Sequence, residues 1–300
     1  MVTVQVPATS ANVGAGFDTL GLAVGLYNTV VMEEAEGCDI APMDEVEVPR
    51  GEDNIVYRSA KRLYEECGKP FHGLALRQSS PIPIARGLGS SSACIVAGLI
   101  GANALLKNPC QRQDLLCLAA GMEGHPDNIA PALLGGLVVS CIQEGKVYSV
   151  KKEISPMLEF GVFIPDYELP TEKARAVLPK TVPFEDALFN LSRVGLCQAA
   201  LCEGRLDLLS VVTQDRLHQA SRLALMPGGE EVFALAREAG ARAVCVSGAG
   251  PSVLAVVEES REAFWPRAEQ NLQRRREQNS EAGRFRLYRY KPDNFGARLI

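Results

Sequence analysis

The chain has 300 residues, 47% of them apolar and 22% charged, and its 31 basic and 36 acidic side chains give a net charge of −5 at pH 7. This length and composition predict a globular fold with an extensive core, divided into two domains. Because there is no basic excess, the composition argues against a nucleic-acid partner or an anionic membrane surface.

The sequence predicts neither a membrane span nor a secretory signal. No run reaches the roughly 18 uninterrupted apolar residues of a spanning helix, and residues 2–6 alternate like a strand. The sequence has nine cysteines, an odd number, and no Cys-x-x-Cys pair. Several of them, including Cys94, Cys141 and Cys245, lie in apolar neighbourhoods. This usage is typical of reduced packing residues. We therefore expect a cytoplasmic protein.

The pattern of apolar residues changes near the middle of the chain. In the first half it predicts strands at 2–6, 22–33, 74–78, 136–141 and 146–150, and helices at 54–67, 91–106 and 113–123. In the second half it predicts a strand at 160–164, mostly helices to 239, strands at 242–247 and 252–257, a charged helix, and a strand near 285–290. Proline punctuation places the boundary near residue 155, so we expect an α+β protein with domains 1–155 and 156–300.

The first glycine-rich element, residues 7–18, directly follows the first strand. Its small residues allow close packing against a ligand, and Ser10, Asn12 and Asp18 offer groups that bind hydroxyl, amine or carboxylate. A loop in which Asn12 and Asp18 only satisfy backbone turns explains these residues equally well.

The second element reads Pro83-Ile84-Ala85-Arg86-Gly87-Leu88-Gly89-Ser90-Ser91-Ser92-Ala93 and continues into an apolar helix. Its glycines permit a positive φ and close approach to an anion, its hydroxyls donate, and the helix N-terminus presents free N–H groups. The element therefore predicts a phosphate-binding cradle for a nucleotide. A flexible linker is disfavoured by the apolar helix, and the missing Gly-Lys-Ser/Thr ending disfavours a P-loop.

Helix 113–123 ends in a glutamate. Its apolar residues Leu115, Leu118 and Met122 share one face, which places Glu123 at the C-terminal end, where the helix dipole disfavours a carboxylate. A bound cation would offset this cost, although a solvent-exposed glutamate also tolerates the position.

The third element, Val246-Ser247-Gly248-Ala249-Gly250-Pro251-Ser252, lies between two apolar strands. It predicts a second wall for an anion or substrate, although Gly-Ala-Gly-Pro by itself is also a common turn.

Together the three elements resemble the motifs of the GHMP kinases, and residues 7–22, 123–128 and 247–252 are similar to those of the homoserine kinases within that superfamily. Mevalonate-type relatives usually carry a lysine in the first element, whereas this chain has none before Arg50. The resemblance spans the chain. It implies an N-terminal domain of ribosomal-protein-S5 type, a ferredoxin-like C-terminal domain, and a homodimer. The implied reaction is ATP-dependent phosphorylation of the side-chain hydroxyl of L-homoserine, in threonine biosynthesis.

The resemblance also implies roles for individual residues. Residues 83–93 bind ATP, Asn54 starts the helix that lines the adenine pocket, and Ser91 with Glu123 coordinates Mg²⁺. An N-cap explains Asn54 equally well, and the choice among Ser90, Ser91 and Ser92 for the metal stays open.

On the substrate side, the resemblance implies that Asn12 and Asp18 bind the amine or hydroxyl of homoserine and that Asn128 orients its hydroxyl. The proton then passes to the phosphate itself, with Asp127 and Asp18 as rival bases. Arginine suits the carboxylate because its planar fork matches two oxygens. The resemblance assigns the carboxylate to Arg175 and Arg222, with Arg216 as the alternative to Arg222. It assigns the adjoining wall to Gly248 and Gly250.

Two other functions fit the same elements. One is a GHMP kinase acting on shikimate or a mevalonate derivative, which the two arginines and Asp18 disfavour relative to a zwitterionic amino acid. The other is a catalytically silent relative that senses a nucleotide or amino acid; the presence of the cradle, Glu123 and the third element argues against it. We expect His72 and His218 to be surface or packing residues and His125 to shape its loop.

Overall fold

The computed structural model describes residues 1–300, which form one sheet of seven strands and one of four. The seven-stranded sheet contains β1 (Val2–Ala11), β2 (Leu20–Glu34), β3 (Gly37–Pro42), β4 (Gly73–Ser79), β5 (Leu137–Gln143), β6 (Lys146–Lys152) and β11 (Arg298–Leu299). The four-stranded sheet contains β7 (Leu158–Pro165), β8 (Ala243–Val246), β9 (Val253–Glu258) and β10 (Phe285–Tyr290).

Ten α-helices and one 3-10 helix, at Glu281–Arg284, connect and cover these sheets. The α-helices are α1 (Ile55–Glu66), α2 (Ser90–Leu105), α3 (Arg112–Glu123), α4 (Ile129–Leu134), α5 (Thr171–Ala176), α6 (Phe184–Glu203), α7 (Leu209–Val212), α8 (Gln219–Leu223), α9 (Gly229–Ala239) and α10 (Phe264–Glu277). None of these helices combines the length and apolarity that crossing a lipid bilayer requires.

The long strand β2 holds the seven-stranded sheet together. It pairs antiparallel with β1 over most of its length, with β5 near its start and with β4 near its end. The pairing shifts between Pro7 and Ala8, whose partners are Tyr27 and Val24, so Gly25 and Leu26 form a bulge in β2. Such a bulge bends the strand that contains it, and this one lies opposite the start of the first glycine-rich element.

The four-stranded sheet runs in the order β10-β7-β9-β8 with every pair antiparallel. Side chains of β9 alternate between two cores, as the period of two in a strand requires. Leu254 and Val256 belong to a core of 50 residues that extends through the seven-stranded sheet, whereas Val253 and Ala255 belong to a core of 20 residues beneath α9 and α10. This sheet is therefore apolar on both faces.

The observed elements agree closely with the predicted ones. The mixed α+β class is confirmed, and the last predicted strand, 285–290, has the observed bounds. The sequence analysis missed β3 and β11. Since β11 pairs with β1, with Leu299 opposite Val4, the end of the chain lies on the first sheet; the division into 1–155 and 156–300 stays a prediction.

One prediction for the cysteines needs a correction, whereas those for His72 and His218 agree with the structure. All nine cysteines are free, but Cys141 is exposed on β5 and does not pack in the core as expected. His72 is exposed, in agreement with the prediction. His218 is only 1% exposed, and its contacts lie beside the cavity described below.

Candidate active site

A cavity of about 520 Å³ lies where the three glycine-rich elements meet the C-terminal end of α3. Most predicted site residues line it: Asn12, Asn54, Pro83, Ile84, Ala85, Arg86, Gly87, Leu88, Gly89, Ser90, Ser91, Glu123, Asn128, Arg175, Arg222 and Gly248. Ser92, Ala93, Asp18 and Gly250 are not among the residues that line it. A groove of about 620 Å³ between α8 and α9 is lined by none of the predicted residues.

The cradle has the backbone geometry that its sequence predicts. Gly87 and Gly89 have φ of +70° and +68°, and Gly89 is the N-cap residue of α2. No side chain caps this helix start, so the first N–H groups and the positive end of the helix dipole are available to an anion. The helix begins at Ser90, one residue before the predicted start.

Both glycines also allow the three elements to pack closely. A Cβ atom on Gly87 would lie 2.2 Å from the carbonyl oxygen of Ser247 in the third element. A Cβ atom on Gly89 would lie 1.9 Å from Oγ1 of Thr9 in the first element. The cradle can therefore form only with glycine at these two positions.

Replacing Gly89 by alanine is expected to raise the KM for ATP at least about tenfold, because the left-handed backbone alone costs of order 1–3 kcal/mol and the new methyl group displaces Thr9. Steady-state kinetics with thermal unfolding would measure both effects. Gly121→Ala in α3 is the matched control, since a Cβ atom there meets nothing within 4 Å. An unchanged KM for ATP in Gly89→Ala would show that the cradle does not bind the triphosphate.

Glu123 lies at the C-terminal end of α3, as predicted, and Gly124 ends the helix with φ of +91°. Its Oε2 accepts a hydrogen bond from Ser91 Oγ at 2.9 Å, and its Oε1 accepts one from Ser92 Oγ at 2.9 Å. The start of α2 therefore supplies both donors and a favourable dipole to this carboxylate. The sequence analysis considered only the unfavourable dipole of α3 and missed this compensation.

The donors around Glu123 fit Mg²⁺. Hydroxyl and carboxylate oxygens are hard ligands, and Mg²⁺ usually takes one or two protein ligands together with phosphate oxygens and water. The protein contains no cluster of three His, Cys, Asp or Glu side chains that would hold a metal alone. The arrangement therefore suits a cation that shares its coordination with a bound phosphate.

Asn128 stands between the cradle and the rest of the cavity. Its Oδ1 accepts a hydrogen bond from Thr9 Oγ1 at 2.8 Å, which leaves its amide NH₂ without a protein partner. Since Gly89 lies against the same Thr9 side chain, the amide is fixed beside the phosphate-binding loop. Thr9 belongs to the first element but was not predicted as a site residue, because nothing in its local pattern indicates this contact.

Asp127, one of the rival bases, is buried and bound to a histidine. Its Oδ1 lies 2.7 Å from His125 Nδ1, and its Oδ2 is buried without a hydrogen-bond partner. The hydrogen bond with Asp127 raises the pKa of His125, and burial of the ring opposes this shift. The pair shapes the loop before α4, as expected for His125, and keeps Asp127 next to Asn128.

Asp18 and Arg175, predicted to bind opposite ends of the substrate, are bonded to each other. The guanidinium of Arg175 donates to both carboxylate oxygens of Asp18, at 2.7 and 3.1 Å. Asp18 has φ of +51°, and its amide donates to Asn12 Oδ1 at 2.8 Å. The turn interpretation of Asn12 is thus supported, and a zwitterionic ligand would have to exchange partners with this ion pair.

The structure places Arg222, and not Arg216, on the cavity wall. The Arg222 side chain is 1% exposed, and its Nη1 donates to the carbonyl oxygen of Gly248 at 2.7 Å. Arg216 is half-exposed and pairs with Asp186 at 3.2 Å. Burial lowers the pKa of Arg222 to about 10, with Arg175 acting in the same direction, so the guanidinium keeps its charge at neutral pH.

The third element supports the cavity from behind. The amide of Gly248 donates to the carbonyl oxygen of Ala11 at 3.0 Å, which joins the third element to the first. Gly250, with φ of +88°, packs against Met226 and Leu169 away from the cavity. Gly248 is therefore the member of the predicted pair that lines the cavity.

Asn54 and its neighbours form the far end of the cavity. Asn54 Oδ1 caps α1 by accepting from the amides of Val56 and Tyr57, and its Nδ2 donates to the carbonyl oxygen of Pro49 at 2.8 Å. The N-cap interpretation is therefore supported. Sequence reasoning missed the adjoining apolar wall, because most of it comes from an irregular loop without a motif. The wall consists of Val46, Val48 and Pro49 from this loop and Ile55, the first residue of α1.

Comparison with known proteins gives consistent matches. The chain matches the family description "GHMP kinases N terminal domain" over residues 54–136 and "GHMP kinases C terminal" over residues 197–272. The homoserine kinase of Caldicellulosiruptor bescii is 44% identical over 274 residues, covering 91% of this chain and 88% of that protein. The homoserine kinase of Moorella thermoacetica is 48% identical over 257 residues, covering 85% and 87%.

A solved structure agrees with these sequence matches. The crystal structure of homoserine kinase from Cytophaga hutchinsonii ATCC 33406 aligns with a TM-score of 0.85 and 30% identity, covering 100% of this chain and 97% of that one. The similarity therefore extends over both sheets and all three glycine-rich elements.

Proposed function

Since the chain belongs to the homoserine kinases of the GHMP kinase superfamily, we propose that it transfers the γ-phosphoryl group of ATP to the side-chain hydroxyl of L-homoserine. One observation carries this proposal. The start of the phosphate-binding helix, Asn128, Arg175 and Arg222 line a single cavity, and Arg175 is bonded to Asp18.

The cradle binds the triphosphate. The free N–H groups at the start of α2, the positive φ of Gly87 and Gly89, and the nearby hydroxyls all favour phosphate oxygens. Phosphoryl transfer depends mainly on such charge neutralisation and alignment, and little on covalent participation by the protein. The apolar wall from Val46 to Pro49 and the capped start of α1 then receive the adenine end of ATP.

Ser91 and Glu123 are the residues that would hold Mg²⁺ beside the phosphates. Their oxygens lie 2.9 Å apart, and Ser92 keeps the other carboxylate oxygen in place. The ion, when bound, neutralises the negative charge that the β- and γ-phosphates carry. Glu123 serves in this way as a ligand and not as a base.

Homoserine binds beside Arg175 and Arg222 as a zwitterion. Its ammonium group binds Asp18, and its carboxylate binds Arg175 and the buried guanidinium of Arg222. These two contacts replace the ion pair that Asp18 and Arg175 form with each other in the structure. Asn12 supports Asp18 through the bond to its amide.

Asn128 orients the reacting hydroxyl. Its free amide NH₂ stands next to the cradle, and its Oδ1 is fixed by Thr9. An amide cannot accept the proton as a base does, so the hydroxyl proton passes to the transferred phosphoryl group as the new P–O bond forms and the bond to ADP breaks. Asp127 is bonded to His125 through Oδ1 and does not act as the base in this step.

A homodimer and a cytoplasmic location also stay predictions.

ADP release from Mg-ATP by the purified protein tests the proposal. Turnover is expected with L-homoserine, and we expect L-serine, L-threonine, shikimate and mevalonate to give at least about tenfold lower kcat/KM, because none of them places both a zwitterion and a terminal hydroxyl at the required distance. Preferred turnover of another acceptor would overturn the substrate assignment. ATP binding without turnover of any acceptor would favour the sensor function.

A further inference from the structure

His218, which the sequence analysis treated as a packing residue, makes two contacts that fix its protonation state. Its Nε2 lies 2.8 Å from the carbonyl oxygen of Gly14, and its Nδ1 lies 3.2 Å from Nη1 of Arg222. A carbonyl oxygen can only accept, so Nε2 carries the hydrogen. A guanidinium can only donate, so Nδ1 must present its lone pair. The imidazole is therefore neutral and protonated on Nε2.

The surroundings of the ring hold it in this orientation. His218 precedes α8, and Asp215 Oδ2 accepts hydrogen bonds from the amides of His218 and Gln219, at 2.8 and 2.7 Å. The ring also packs on Phe17, with centroids 5.4 Å apart. Phe17 belongs to the first glycine-rich element, so His218 joins that element to the segment that carries Arg222.

Two acceptors therefore occupy both N–H groups of Arg222 Nη1. Nη1 donates to the carbonyl oxygen of Gly248 at 2.7 Å and also to Nδ1 of His218. Nε is buried without a partner, and Nη2 makes no hydrogen bond within the protein. The edge formed by Nε and Nη2 is the fork that binds a carboxylate through two parallel hydrogen bonds.

We infer that His218 is a positioning residue that, in its neutral Nε2-protonated form, turns the free fork of Arg222 toward the carboxylate of the amino-acid substrate. This inference rests on the proposed function. His218 does not touch the substrate itself. It supplies the second acceptor that, together with Gly248, prevents the buried guanidinium from rotating about its axis.

Burial of the ring favours the neutral form, and the charges around it act in both directions. Burial lowers the pKa of His218, and the guanidinium of Arg222 acts in the same direction. Two carboxylates, Asp215 and Asp18, oppose this shift. Protonation of Nδ1 would place a hydrogen against the guanidinium and remove its second acceptor. A folded-state pKa below the ordinary value of 6.5 keeps that acceptor present at neutral pH.

Two substitutions separate the contacts of the ring. His218→Asn places Oδ1 near the position of Nδ1, so it keeps the acceptor for Arg222 and loses the bond to Gly14. His218→Gln places its amide nitrogen near the position of Nε2, so it keeps the bond to Gly14 and loses the acceptor. A positioning role predicts that only His218→Gln raises the KM for homoserine at least about tenfold, with the KM for ATP unchanged in both variants. Equal KM values for homoserine in both variants would overturn the inference.

Two reference variants distinguish the failure of this inference from the failure of the proposed function. Arg222→Met removes the fork and is expected to raise the KM for homoserine more than His218→Gln does, whereas Arg216→Met, outside the cavity, is expected to leave it unchanged. A wild-type KM in Arg222→Met would contradict the proposed carboxylate site itself. A raised KM in Arg222→Met with a wild-type KM in His218→Gln would contradict only the role of His218.

A measurement on the unmodified protein tests the inference even if the variants do not fold. Long-range ¹H–¹⁵N correlation spectra identify which ring nitrogen of a histidine carries hydrogen. The expected result at pH 7 is a neutral His218 protonated on Nε2. An Nδ1-protonated ring or an imidazolium would overturn the inference, because neither form can accept a hydrogen bond from Arg222.

Discussion

Replacing Glu123 by glutamine is expected to lower kcat by roughly a hundredfold or more, since losing one preorganised electrostatic contact at a charged transition state typically costs that much. Glutamine keeps the size of the side chain and can still accept a hydrogen bond from one serine. It removes the negative charge that holds the cation, so the variant should fold normally and also require a higher Mg²⁺ concentration. Steady-state rates across a magnesium titration measure both effects.

A control for this prediction is Glu238→Gln, an exposed position of α9 outside the cavity, which should leave the rate and the magnesium requirement unchanged.

The same assay can distinguish the roles of the two hydroxyls bound to Glu123. If Ser91 is the metal ligand, Ser91→Ala raises the magnesium requirement more than Ser92→Ala does. A near-normal kcat in Glu123→Gln would show that this carboxylate has no part in the reaction.

Asp18→Asn should lower kcat/KM for L-homoserine about tenfold or more, because a hydrogen bond to a charged group contributes roughly 1.5–3 kcal/mol and the Asp18 side chain is 38% exposed. The bidentate bond between Asp18 and Arg175 adds a second expectation. With Asp18 neutral, Arg175 is released from its ion pair and binds a carboxylate more readily. An acceptor that has a carboxylate but no amine should therefore bind the variant at least as well as it binds the unmodified protein.

The substrate analogue 4-hydroxybutyrate, which is homoserine without its amino group, makes this test specific. The variant should lose activity toward homoserine and keep or gain activity toward the analogue. Asp39→Asn is a matched control, since Asp39 forms an exposed ion pair with Arg77 at 2.7 Å away from the cavity. Equal losses with both acceptors would contradict the assignment of Asp18 to the amine.

Features that depend on local sequence could be predicted well. The cradle follows from two glycines placed before an apolar helix, and the position of Glu123 follows from the apolar face of α3. By contrast, β3 has only one strongly strand-forming residue, Ile40, and ends in a proline. It becomes a strand because β4 lies alongside and pairs with it in parallel, and such tertiary context leaves no local signal.

The remaining errors concern contacts between distant parts of the chain. Asp18 and Arg175 are 157 residues apart in sequence, and no pattern within either segment shows that they bind each other. The role of Arg222 could be inferred only by resemblance, and its separation from Arg216 required knowing which one is buried. The role of His218 was missed because its ring joins two distant segments, the first glycine-rich element and the segment that carries Arg222.

The alternation of side chains in β9 between the two cores limits how the protein can move. Opening the two halves as rigid bodies would separate the 50-residue core, in which Leu254 and Val256 pack with residues of the first sheet. Each 100 Å² or so of apolar surface that such an opening exposes would cost about 2.5 kcal/mol, at about 25 cal/mol per Å². Wide hinge opening is therefore disfavoured, and we expect substrates to enter through local rearrangements such as the exchange of the ion pair between Asp18 and Arg175.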